Sequence, residues 1–501
     1  MAVLVMLLSL VVMIDGSAPH VRFLEEGSRD FYGPCDNLYR AACSDFALNY
    51  ADEMQNFNLM TAETQVMLRL IRNMSFILNQ LLIGNHSGLD PFEIVMVDDY
   101  KDCVRLTQNS PMQHTTSAAV VQETVMSGGR TLGPTRSWHE PDFTANYYLT
   151  NLTAEEECAY YTMVTKEAAT AHVYLKRQLG WRRGSEIRRK ARIVEHYVRQ
   201  GLTSMLLNFD WISWDLKRDM LRLVNATRTT LGYDDWLQDP SAISECTPIQ
   251  FQRFGRSFQA DPRCKEEVLF IHDYYDDETG RLTLPLGSLL PPLFNPDYPS
   301  AVQFGIFGQK LAAAFIRLLL RAQSRDPALI DSEDGSGNLW AKVPHLIDVY
   351  ALLSCTAENG ECSSDLFQKM ELAYASILGL KAANLAHKYF LLDGGGEFEE
   401  EQITRSRHRG GAAFRDDADN SLQASSEQLL FHAYARAQCA HMTPEAKRGY
   451  GGRGFLSEFF RQRAPPPAQL LTASAVIKDF RKLFSCGKYS RMGAAARHAI
   501  F

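Results

Sequence analysis

No two of the 13 histidines in this 501-residue chain lie three to five positions apart; the closest pair, His432 and His441, is nine apart. H-E-x-x-H, which sets two imidazoles on one helix face for zinc, is therefore absent. C-x-x-C is absent too, and only Cys439 has a histidine near it, His441, which argues against a cysteine-based zinc site. There is no G-x-S-x-G elbow and no Walker-type loop, and Gly451-Gly452-Arg453-Gly454 lacks phosphate-loop spacing. No long basic run occurs. The 52 Lys and Arg are mixed with 59 Asp and Glu for a formal net charge of -7, which gives nucleic acid no footprint. The one dense basic cluster, Arg182, Arg183, Arg188, Arg189, Lys190 and Arg192, reads as a solvated helix face. No apolar run reaches the ~20 residues of a membrane span; Leu311 to Leu320 is interrupted by Arg317.

What is present is ordinary globular composition, 46% hydrophobic and 22% charged, over a length that favours two domains. Val3 to Ile14 is almost wholly apolar, and Gly16-Ser17-Ala18 offers small residues for cleavage, so residues 1–18 read as a signal peptide. The alternative is an uncleaved anchor that would hold the chain at the plasma membrane. Export makes the even count of ten cysteines a set of disulfides. The four sequons, Asn73, Asn85, Asn151 and Asn225, fit an extracellular glycoprotein.

Apolar residues recur every three or four positions over Thr61–Leu82, Ala154–Leu179, Glu186–Leu207, Asp215–Leu231, Gln309–Gln323, Leu366–Tyr389 and Glu427–Cys439, which predicts helices there. Val268–Tyr275 and Arg281–Leu286 are expected to pair as a hairpin. The four prolines of Ser288–Ser300 predict an extended connector, and Pro465-Pro466-Pro467 predicts irregular chain.

Pro34-Cys35-Asp36-Asn37-Leu38-Tyr39 with Ala42-Cys43 resembles the P-C-D-D-F-Y…A-C-G signature of the neprilysin and endothelin-converting enzyme family of zinc endopeptidases. Further motifs follow in family order. They are Tyr100 to Cys103, Phe209 to Ile212 with Gly232-Tyr233 and Asp235-Trp236, and Tyr274-Tyr275 with Leu284 to Gly287 and Leu290 to Phe294. Gly379-Leu380-Lys381-Ala382-Ala383, Gln428 to Cys439 and Phe480 to Cys486 complete the series. The resemblance implies a mainly α fold: two helical lobes around a central cavity, a thermolysin-like catalytic lobe and a second lobe shortened between Cys103 and Cys158, with minor β. The expected division is 30–250 and 251–501. It also implies Cys35–Cys486, Cys43–Cys439 and Cys103–Cys158 as disulfides, leaving Cys246–Cys264 and Cys355–Cys362 as the other pairs.

In the family, the two histidines of G-H-E-x-x-H-A-F bind zinc and the glutamate is general base. Gly308, Ala314 and Phe315 match the flanks here, while Gln309 and Ala313 stand at the histidine positions and Lys310 at the glutamate. A methyl is no ligand, an amide is a poor one, and a lysine repels the metal. Leu372 stands where the third ligand would be, and Ser376 at the aspartate that supports it; Glu371 is about 100° around the helix from Leu372. Arg463 and Gln469 fall where the resemblance implies an oxyanion-stabilising histidine and a substrate-binding arginine, and His272 replaces an asparagine that binds substrate backbone. Lys310 is expected to fill the vacated zinc volume and pair with Glu371 or Glu358.

The expectation is a secreted pseudo-peptidase with no cofactor, where the family uses zinc. Its partners would be a peptide or an extracellular protein, with no nucleic acid. Alternatives are an active zinc endopeptidase with replacement ligands, or an extracellular interaction protein whose cavity is irrelevant.

Overall fold

The structure, a computed structural model, describes residues 33–43, 46, 59–84, 88–109, 152–246, 268–324, 339–342, 345, 346, 349, 366–395, 426–442 and 466–494. In chain order its main elements are helices α1 (Pro34–Cys43), α2 (Ala62–Ile83), α3 (Pro91–Asn109), α4 (Ala154–Thr165), α5 (Glu167–Tyr174), α6 (Trp181–Leu207) and α7 (Trp214–Ala226). Strands β1 (Arg228–Gly232), β2 (Tyr274–Asp276) and β3 (Arg281–Pro285) follow, then α8 (Gln309–Ser324), α9 (Leu366–Phe390), α10 (Ser426–Ala437) and α11 (Pro466–Val476). The fold is mainly α. Contrary to the sequence reading, two helices among the described residues, 62–83 and 300–323, are long and apolar enough to cross a membrane; 89% of the most apolar window of the second is buried within the protein.

The chain divides into two compact units that alternate along the sequence. One comprises residues 1–51, 192–227 and 290–501, the other 52–191 and 228–289.

In the second unit, helix starts are set by side-chain caps. Thr61 and Thr64 cap α2 reciprocally, and Thr153 and Glu156 do the same for α4, satisfying amides that have no helical partner. The expected single helix 154–179 is broken at Lys166, where φ is -129° and ψ 48°. Cys103–Cys158 bonds α3 to α4. Glu93 on α3 is fully buried, and its carboxylate is not left alone: it accepts from Arg177 at 3.0 Å and from the Asp90 amide at 2.9 Å. His172 on α5 bonds the Leu237 carbonyl through Nδ1 at 2.7 Å, and burial pushes its imidazole below the usual histidine range. The three-stranded sheet runs β1-β3-β2, with β1 parallel and β2 antiparallel to β3. The expected helix 215–231 therefore ends at Ala226. Thr229 and Thr230 are β-branched and go into β1 instead.

In the first unit, Cys35–Cys486 and Cys43–Cys439 tie α1 to distant parts of the chain. Arg436 on α10 donates to the Ala42 carbonyl at 2.6 Å, bringing the same two segments together. Cys246 is disulfide-bonded as well. Its expected partner Cys264, and the pair Cys355–Cys362, lie outside the described residues. The core is the α8–α9 pair, with Leu311, Phe315, Ile316, Tyr374, Ile377 and Leu378 all fully buried. A π-helical turn, Phe304–Gly308, leads straight into α8. Gly305 in that turn has no room for a side chain, since a Cβ there would stand 2.4 Å from the Leu430 carbonyl oxygen of α10. At the other end of the chain Pro466 and Pro467 begin α11 rather than breaking it, because the first helical turn makes no use of their missing amides.

Candidate functional site

The first residue of α8 is Gln309, only 6% exposed. Its side-chain amide donates to both Ser376 acceptors on α9, the carbonyl at 3.0 Å and Oγ at 2.9 Å. Ser376 Oγ in turn shares a 3.0 Å hydrogen bond with the hydroxyl of Tyr434 on α10, a side chain wholly removed from solvent. Three buried polar groups thus form one chain across three helices. A buried amide left without partners costs about 1–3 kcal/mol, so this chain is a condition of burying Gln309 at all.

One turn further along α8, Ala313 is 3% exposed and abuts Gly379 of α9. A Cβ placed at Gly379 would meet the Ala313 nitrogen at 2.7 Å and its Cβ at 2.9 Å, so the two backbones are in contact there. Leu372 is half-buried on α9, one turn before Ser376. Lys310 is half-buried. Its expected partners cannot be placed against it: Glu358 and the Glu371 side chain lie outside the described residues, as do Arg463 and the side chain of Gln469, whose backbone belongs to α11. His272 is exposed and precedes β2 in the other unit. The structure therefore brings Gln309, Ala313 and Ser376 together.

Zinc is the group that the motif positions imply, and these residues do not fit it. The crossing offers an amide whose hydrogens point at Ser376, a methyl, a serine hydroxyl and a phenol, with no imidazole, thiolate or carboxylate among them. Among the described residues no three His, Cys, Asp or Glu side chains are grouped as a metal site requires.

Tyr434 was not legible as part of this site. It sits in the stretch Gln428 to Cys439, whose helical period marks it only as core. A second buried junction was also unforeseen. His387 on α9 is fully buried, with Nε2 3.0 Å from Ser300 Oγ and 3.4 Å from Ser426 Oγ at the start of α10. Burial, helped by the neighbouring Lys388 charge, lowers its pKa to about 4, so the ring is neutral.

Of the sequons, Asn85 and Asn151 lie outside the described residues. Asn73 is half-buried on α2 and bonded to the Tyr174 side chain. Asn225, in the last turn of α7, is exposed and lines a groove of about 600 Å³ in the first unit.

No protein-family model matches the sequence. Neprilysin-2 of Caenorhabditis elegans is 24% identical over 161 residues, which are 28% of this chain and 21% of that protein. The human Kell blood group glycoprotein is 23% identical over 320 residues, 60% of this chain and 39% of that protein. The matches thus span well under half of either relative. Among solved structures, a chain of the Haemonchus galactose containing glycoprotein complex superposes with a TM-score of 0.61 at 12% identity, covering 97% of this chain and 99% of that one, and so shares the fold. Zinc metalloprotease Zmp1 of Mycobacterium tuberculosis covers 76% of this chain and 54% of its own at a TM-score of 0.47 and 14% identity. These matches correct one expectation. The expectation that this chain takes no cofactor is set aside, since the neighbour Zmp1 is by name a zinc metalloprotease. Among the described residues the α8–α9 crossing supplies no ligands for that metal.

Proposed function

We propose that this chain, which is related to the neprilysin and endothelin-converting enzyme family of metallopeptidases, is an exported pseudo-peptidase that binds peptides or an extracellular protein without cleaving them. One observation carries the reading. At the helix crossing where the family resemblance places the catalytic centre, the polar groups are already satisfied by one another in the chain Gln309–Ser376–Tyr434. A general base needs a free lone pair near the operating pH and an attacking water needs an activator. An amide, an aliphatic hydroxyl and a buried phenol provide neither. Lys310 stands at the place of the family's glutamate and brings no carboxylate there. Three disulfides within the two units support an extracellular setting, since such bonds persist in oxidising compartments.

The test is incubation of the purified full chain with a mixed peptide library, with and without chelator, alongside metal analysis by mass spectrometry. The expected result is no chelator-sensitive cleavage, together with retention of a subset of peptides on the immobilised protein. Chelator-sensitive turnover that scales with bound metal would overturn the proposal in favour of an active peptidase with replacement ligands. Retention of no peptide, with a protein captured instead from extracellular fluid, would leave inactivity standing and move the role to a protein partner.

A further inference from the structure

The groove beside Asn225 has a consistent chemistry. Its wall is the outer face of α6, which presents His196, Gln200, Thr203 and Ser204 at helical spacing, closed by Asn208 and by Tyr389 of α9. All are polar groups, and some are already bonded: Gln200 Nε2 stands 2.9 Å from His196 Nε2, and Thr203 Oγ1 donates to the Arg199 carbonyl at 2.8 Å. The one cation in the lining, Arg199, is already committed. Its guanidinium is held by Glu195 at 2.8 Å, donates to the Val224 and Thr227 carbonyls, and lies 4.7 Å over the Phe315 ring. Among the described residues no carboxylate lines the groove. The described lining is therefore better matched to a neutral polyhydroxyl ligand than to an anion or cation, with Tyr389 as a ring for it to lie against. Arg199 also caps the C-terminal carbonyls of α7, and this fixes the position of Asn225 at the groove edge.

We infer that the N-linked glycan on Asn225 folds back into this groove and is held there as an integral part of the first unit. The sequon Asn225-Ala226-Thr227 puts an attachment residue in the groove lining, so the sugar arrives tethered and needs no affinity of its own for capture from solution. The groove is an open depression of about 600 Å³ on the surface, with room for the first saccharide units to lie along it. Asn73 is the contrast. It is half-buried and its side chain is bonded to Tyr174, whereas Asn225 is exposed at the groove.

This rests on the export reading, and the experiment separates the two. The full chain is produced in a glycosylating eukaryotic host in two forms, one with its own N-terminus and one with a heterologous secretion signal. If only the second is secreted, the export reading fails while the glycan remains testable on the secreted form. Glycopeptide mass spectrometry should find Asn225 occupied and Asn73 bare. Release of the Asn225 glycan by peptide N-glycosidase should be about ten-fold slower from the folded protein than from a Ser204→Arg variant, in which the groove is filled. Should that variant misfold, Asn225→Gln serves, and hydrogen exchange over residues 196–208 should be faster than in the glycosylated protein. The inference is overturned by an unoccupied Asn225 in secreted folded protein. It is equally overturned by release and exchange rates that the variants do not change.

Discussion

His387 and Gln309 are both buried polar side chains of the first unit, and each is held by a definite set of hydrogen-bond partners. His387 is held neutral, with a folded pKa of about 4 against 6.5 in an unfolded chain. Between those values the unfolded chain binds more protons than the folded one, so stability falls as pH drops from about 6.5 toward 4 and is undiminished above 6.5. The size of the shift sets this loss at up to about 3 kcal/mol. His387→Gln should cost some stability at pH 7.5 but lose less of what remains on acidification. Urea unfolding at pH 7.5 and 4.5 measures this, and a variant as acid-sensitive as the parent would refute the assignment. For Gln309, the decisive fact is that its amide donates. Gln309→Ala loses those bonds and leaves a small cavity, at a cost of about 2 kcal/mol. Gln309→Glu should be worse at pH 7, because a carboxylate would face the Ser376 carbonyl with no proton to give, and it should recover part of the difference at pH 5, where a protonated carboxyl donates again. The comparison is the gap between the two variants at the two pH values. A gap that stays constant would mean that Gln309 is not the donor.

Among the elements, α9 is gripped from two sides through glycine. On α6, a Cβ at Gly201 would stand 2.2 Å from the Ala382 carbonyl oxygen and 2.8 Å from the Ala386 nitrogen. Both obstacles are backbone, so no rotamer change relieves them. Replacing a helix-interior glycine by alanine ordinarily gains about 1 kcal/mol. Here overpacking should reverse the sign, and Gly201→Ala should destabilise by about 2 kcal/mol or more. Gly487→Ala, with nothing within 4 Å, is the control and should stay within about 0.5 kcal/mol of the parent. Equal melting temperatures for the two variants would show that α6 and α9 do not meet at this point. Such contacts mark the limit of what the sequence conveys. The helical period over 61–82 locates α2 to within a residue, because the period is local and the Thr61 cap is in plain view. Gly379 was visible within a motif, but not that it lies against Ala313. Ser376 was visible as a substituted position, but not that Tyr434 completes its hydrogen bonds. β1 was missed because its reason lies about fifty residues away, in pairing with Arg281–Pro285, while its local apolar period still read as helix. That Gln309 and Ala313 are not zinc-ligating residue types was legible because residue identity alone decides it. What surrounds them was not, since that depends on which helices touch.

At the scale of the whole molecule, the two long disulfides share a unit and are nested, and nesting makes their contributions interdependent. Cys35–Cys486 closes a separation of 451 residues and Cys43–Cys439 one of 396. With one bond in place, the other closes only the difference, about 55 residues, because the chain ends are already held together. On a chain-entropy account the first closure is nominally worth about 6 kcal/mol and the second about 4, with realised values commonly 2–4. Removing either bond alone should therefore cost the smaller amount, since its partner still restrains the unfolded chain. Removing both should cost more than the two single losses added together, by about 2 kcal/mol. Serine pairs at 35/486, at 43/439 and at all four positions, unfolded in urea, give the three values. Cys103–Cys158 belongs to the other unit, and its removal should simply add to either. A four-serine variant no weaker than the sum of its parents would mean that the unfolded chain is not restrained as a nested pair, and that these bonds stabilise through the folded contacts of α1 instead.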